Sequence, residues 1–184
     1  DKNAYYVDKT KFIANCINEK CILYTRPIRF GKTLNMSMLY YFFSNKEKEN
    51  AYLFDNLAIS KNKEAMKHQN KYPTLFITLK ELKDNSFESN RNNFSLLIFE
   101  LLEKNKEILH SDKISNEYKK ILNSLYKRKS NEEELKFSLK IITQALYEHY
   151  QQKVILLIDE YDVPLQSAYQ NGYYDVMVDF IRAI

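Results

Sequence analysis

Five consecutive apolar residues, Val154-Ile155-Leu156-Leu157-Ile158, stop abruptly at Asp159-Glu160-Tyr161-Asp162. Such a run is short for a helix and reads as a buried strand that delivers a pair of acids at its C-terminal end. Two further runs read as strands: residues 21–25 (CILYT), followed by Pro27, and residues 74–79 (TLFITL), opened by Pro73 where proline is tolerated. Outside these runs the apolar residues change period. Phe12, Ile13, Cys16 and Ile17 mark a short helix within residues 8–18, and a second helix begins near Lys32 with Leu34, Met38, Tyr41 and Phe42. Three longer stripes follow: Phe94, Leu97, Ile98, Leu101, Leu102; Tyr118, Ile121, Leu122, Leu125, Tyr126; and Leu135, Leu139, Ile142, Leu146. Ser130 with Glu133 is a capping-box pattern for the third stripe. A last helical pattern, residues 174–184, runs off the end without a cap.

Strands separated by helices argue for an α/β fold with a parallel sheet and flanking helices. The second and third strands are roughly 75 residues apart, more than a normal crossover, so residues 84–152 are expected to form a helical insertion. Residues 1–184 are accordingly read as a single domain that stops short of its own C-terminal end. Composition bounds the class. With 45% hydrophobic and 28% charged residues the chain is globular, not disordered or low in complexity. No apolar run approaches the roughly 20 residues of a membrane span, and no signal peptide opens the chain. Two cysteines, Cys16 and Cys21, lack zinc spacing and read as reduced core thiols, which points to a cytoplasmic protein. A net charge of +4 suits phosphate-bearing partners and is too small to argue for nucleic acid.

Only 2 glycines occur, where average usage would give about 13. One lies in Thr25-Arg26-Pro27-Ile28-Arg29-Phe30-Gly31-Lys32-Thr33, whose last three residues match the end of the phosphate-binding loop G-x-x-x-x-G-K-[ST]. Glycine lets the backbone wrap a phosphate, lysine brings a mobile cation, and threonine brings a hydroxyl for Mg²⁺. The helix that opens at Lys32 adds its positive end. Position 26, where the pattern has its first glycine, is Arg26, so the strict motif fails. The strand end fits the second half of such a site, with Asp159 holding Mg²⁺ and Glu160 polarising the attacking water.

RPIRFGKT and LIDEYDVPL, with the opening YYVDKT and the segment LFDNLAI, resemble the bacterial AAA-ATPase-like family from residue 5 to about residue 165. Within that family arginine at the first loop position is normal, whereas Ile28 replaces its usual arginine. The resemblance implies a P-loop NTPase-type sheet, ATP and Mg²⁺ as ligands, and ATP hydrolysis in the full-length protein. It implies a nucleotide site of Arg29, Phe30, Gly31, Lys32, Thr33 and Leu34, a metal held by Thr33 and Asp159, and Glu160 as catalytic base. Relatives often carry a C-terminal PD-(D/E)XK-type nuclease-like domain, to which nothing in these residues corresponds. An oligomer is compatible with the resemblance, a membrane partner is not expected, and no sensor residue or arginine finger is identifiable before Ile184. The competing reading is a nucleotide-gated switch that does not hydrolyse, acting on a partner or an appended domain. Asp162 is either support for the acidic pair or the next helix cap, and Arg26 a candidate ion-pair partner for Asp159 or Asp162. Residues 5–11 are an adenine candidate by position.

Other features carry little. Glu81-Leu82-Lys83 mimics half of a nuclease site, but Glu134-Leu135-Lys136 repeats it inside an expected helix. His68, His110 and His149 lack metal spacing. The lysines of residues 61–71 and 127–129 read as solvated faces.

Overall fold

The computed structural model describes residues 7–23 and 31–183. The chain divides into two compact units, Asp1–Thr74 and Leu75–Ile184.

In the first unit α1 (Lys11–Cys16) and α2 (Lys32–Phe43) are followed by 3-10 segments at Lys48–Phe54 and Ala58–Lys61 and by the short α3 (Lys63–Met66). The segment Lys48–Phe54 packs on α2, while Ala58–Lys61 packs on α1 and α3. Ile13, Leu39, Phe42, Phe43, Phe54 and Ile59 are buried, and the Phe42 ring stands edge-on to both Phe43 and Phe54 at 5.1 Å. Asn70, in the left-handed region at φ 53° where asparagine is tolerated, donates its side-chain amide to the carbonyls of Tyr41 (3.1 Å) and Ser44 (2.8 Å). Those bonds satisfy carbonyls at the end of α2 that have no partner along the helix.

Two expectations change here. The buried face of α2 is Asn35, Leu39, Phe42 and Phe43; of the expected Leu34, Met38, Tyr41 and Phe42 only Phe42 is buried, and Leu34 is 60% exposed. Apolar residues lie all around this helix, so spacing alone does not single out a face. Of the expected first strand, residues 21–23 are exposed and carry no strand pairing, and residues 24 and 25 lie outside the described residues. A strand needs an edge to pair with, and apolar character alone does not supply one.

The cysteines are correspondingly not core thiols: Cys16 is half-buried and Cys21 exposed, both unpaired with each other. Burial pushes the Cys16 thiol up to about 11. Brief alkylation at neutral pH, read by peptide mass spectrometry, is therefore expected to label Cys21 at least about 10-fold faster than Cys16.

The second unit holds β1 (Thr74–Thr78, its first residue shared with the boundary), then α4 (Phe87–Glu103), a 3-10 turn at Lys106–His110, α5 (Asn116–Tyr126), α6 (Glu132–Lys136), α7 (Ser138–Tyr150), β2 (Ile155–Asp159), α8 (Val163–Asn171) and α9 (Tyr174–Ile181). β1 and β2 form a small parallel two-stranded sheet, and the N–H of Leu79, one residue past β1, donates to the carbonyl of Asp159, the last residue of β2 (3.0 Å). The fold is thus α/β and mostly helical. Leu75, Ile77 and Leu79 join Phe94, Ile98, Leu102, Leu122, Leu139, Ile142 and Leu146 in one core cluster, with Val154, Leu156 and Ile158 packed against it.

Capping explains where these helices start. Ser86 accepts from Ser89 N–H ahead of α4, and Ser115 accepts from Tyr118 N–H ahead of α5. The third stripe opens one residue later than the sequence pattern suggests, with Asn131 and Glu134 as the reciprocal pair instead of Ser130 and Glu133. It also breaks at Phe137, dividing α6 from α7. No helix among the described residues is long and apolar enough to cross a membrane.

Candidate functional site

Gly31 adopts φ 76°, ψ 30°, a left-handed conformation that a side-chain-bearing residue enters only with strain. It immediately precedes α2, whose first backbone bond runs from Asn35 N–H to the Gly31 carbonyl (3.0 Å). The first-turn N–H groups therefore point out of the N-terminal end, where the helix dipole is positive. Lys32 opens the helix and is half-buried, Thr33 and Leu34 are exposed, and Asn35 is buried. Gly31, Lys32, Thr33 and Leu34 are thus brought together in one turn. Arg26, Arg29 and Phe30 lie outside the described residues.

A clasp lies ahead of α1 in the same unit. One Asp8 oxygen, Oδ1, accepts from the Thr10 N–H (2.9 Å) and hydroxyl (2.7 Å), and Oδ2 accepts from the Ala58 N–H (2.7 Å). The Thr10 hydroxyl accepts in turn from Ile59 N–H (3.0 Å), and Thr10 is fully buried. The Thr10 hydrogen bonds, and then the Ala58 N–H, hold the Asp8 carboxyl below the usual carboxylate range. A lowered folded pKa means the clasp contributes at and above the ordinary carboxylate pKa and fades as pH falls through the lowered one. Between the two clasp residues sits Lys9, whose Nζ stands 3.8 Å from where a Cβ on Gly31 would be. The sequence shows Asp-Lys-Thr before a helix but gives no sign that Gly31 is its neighbour.

Asp159 and Glu160 belong to the second unit, at the C-terminal end of β2. Asp159 is 5% exposed, and its Oδ1 accepts from the Glu160 N–H (3.0 Å). Glu160 sits at φ 55°, left-handed without being glycine, and its carbonyl accepts from Val163 N–H (3.2 Å) as α8 begins. Strain of this kind concentrates where a side chain must be aimed. Asp162 is the residue before α8; its Oδ2 accepts from the Gln166 side chain (2.9 Å) and makes no cap bond to the first turn.

The remaining candidates fall to structural roles. Glu134 is spent in the α6 cap, and Glu81 lies 3.7 Å from Lys83 on the surface. His68 Nδ1 pairs with the Tyr72 hydroxyl and His149 Nδ1 with the Ser111 hydroxyl. Among the described residues no three His, Cys, Asp or Glu side chains gather to cage a metal alone. An ion at Asp159 would keep water or phosphate oxygens as ligands, which is how Mg²⁺ is commonly held beside a nucleotide.

No curated protein and no solved structure matches this chain. The model of one protein family does, over residues 1–184, the family described as Predicted AAA-ATPase. A match over the whole chain, with a left-handed glycine opening a helix at Gly-Lys-Thr and an acidic pair ending a core strand, places the chain in this AAA-ATPase-like family.

Proposed function

We propose that the protein binds ATP with Mg²⁺ and hydrolyses it. The observation that carries this reading is Gly31: its positive φ turns the chain into α2, which opens at Lys32 with its first-turn N–H groups at that same end. Lys32 then pairs with the β- and γ-phosphates, and Arg29 adds a guanidinium donor from the loop. Mg²⁺ would supply charge neutralisation on the phosphates when bound, and the residues proposed to hold it are Thr33 in the first unit and Asp159 in the second. A hard, oxygen-seeking cation suits a hydroxyl and a carboxylate alike. Glu160 orients and deprotonates the attacking water.

Melting the protein with and without about 1 mM MgATP, alongside Lys32→Ala, tests the binding step. With a Kd of about 10 μM, a hundredfold excess stabilises by about 2.7 kcal/mol. For a chain of this size the melting temperature then rises by roughly 5–10 °C. Lys32→Ala is expected to lose that rise while its ligand-free melt stays close to wild type. A wild-type protein that does not respond to MgATP would overturn the reading.

A further inference from the structure

The geometry points to Lys9 as a further phosphate-binding cation of this site, presented over Gly31 by the Asp8–Thr10 clasp. The inference rests on the nucleotide reading above and adds to it a residue outside the Gly-Lys-Thr motif. Three observations support it. The Lys9 ammonium stands 3.8 Å from the position of a Cβ on Gly31, so it occupies the space beside the one backbone position where a phosphate could approach most closely. The residues on either side are fixed: Asp8 bonds to Thr10 and Ala58, and buried Thr10 bonds to Ile59. Lys9 itself is exposed and forms no ion pair among the described residues, so no described carboxylate accounts for where its ammonium stands. A lysine held at its backbone and unneutralised at its tip suits a polyanion, here the phosphate chain of a nucleoside triphosphate.

Lys9→Met keeps the chain length and removes the charge; Lys9→Arg keeps the charge. Affinity for MgATP is measured by titration, and inorganic tripolyphosphate is used as a competitor without a base. Lys9→Met is expected to weaken both ligands about 10-fold, as losing a hydrogen bond to a charged group does. Lys9→Arg is expected to stay within about threefold of wild type. The ligand-free melting temperature of Lys9→Met should move by no more than about 2 °C, as for a surface change. Unchanged ATP affinity in Lys9→Met would sink the inference, as would equal losses in Lys9→Met and Lys9→Arg. Weakened ATP with unaltered tripolyphosphate would assign Lys9 to the nucleoside end and equally overturn it. A wild-type protein that binds neither ligand is a different failure, that of the nucleotide site itself.

Discussion

Glu160→Gln should lower ATP turnover by about 10²–10⁴-fold, the range of a lost general base, while leaving MgATP-induced stabilisation in place. Glutamine keeps the size and hydrogen-bonding reach of the side chain but cannot take the proton from water. A second substitution separates chemistry from strain. Glu160 adopts φ 55°, and a left-handed conformation costs a side-chain-bearing residue about 1–2 kcal/mol. Glycine removes that strain but has more freedom to lose on folding, an offset of about 0.5–1 kcal/mol. Glu160→Gly is therefore expected to hydrolyse as poorly as Glu160→Gln and yet melt about 1–4 °C higher than wild type. A variant that gains stability as it loses turnover marks a residue held in place for its chemistry. Turnover by Glu160→Gln at the wild-type rate, measured as phosphate release, would place the base elsewhere, whereas a wild-type protein that binds MgATP and releases no phosphate would favour the nucleotide-gated switch.

The helices of the second unit are legible in the sequence because their stripes are clean. Phe94, Ile98, Leu101 and Leu102 of α4, and Leu122 and Leu125 of α5, are buried as their spacing requires. The strand β2 is equally plain, one residue along from the expected run 154–158, since five apolar residues followed by acids leave few alternatives. By contrast α2 is apolar nearly all round, and tertiary packing, that on the segment Lys48–Phe54 included, decides that Leu39 is buried and Leu34 is not. The α6 cap shows how fine the choice can be. Ser130 with Glu133 and Asn131 with Glu134 have the same spacing, but Glu134 also accepts from the Ser124 hydroxyl (3.1 Å), a bond across two helices. No local pattern contains that contact.

The site divides along the same line. Gly-Lys-Thr opening a helix and Asp-Glu ending a strand are written in consecutive residues, and both are where the sequence puts them. The left-handed Glu160 is not announced, because nothing in Asp-Glu-Tyr-Asp marks a turn that needs glycine. Lys9 is hidden more deeply. Its placement depends on Asp8 reaching Ala58, 50 residues along the chain, and on a fold that brings Gly31 beside it. Local chemistry writes the motif; tertiary contacts decide what stands around it.

Phe94→Ala is expected to cause the largest loss of stability in the protein, about 3–5 kcal/mol. The ring is fully buried in the core cluster and stands edge-on to Phe180 at 5.1 Å, so truncation leaves both a cavity and an unmatched aromatic partner. Melting should fall by roughly 6–20 °C, or the unit should fail to fold at 37 °C. Leu96→Ala, two residues away on the same helix and 42% exposed, is expected to change stability by less than about 1 kcal/mol. The contrast matters for function because the same cluster carries Leu75, Ile77 and Leu79 of the β1 region and backs Leu156 and Ile158 of β2. Loosening it frees the strand whose end aims Asp159 and Glu160. A conservative Phe94→Leu should therefore keep the fold yet lower turnover more than it raises the concentration of MgATP needed for half-saturation. Equal melting of Phe94→Ala and Leu96→Ala would mean that α4 does not carry the core, and that the strand end is held by something other than this packing.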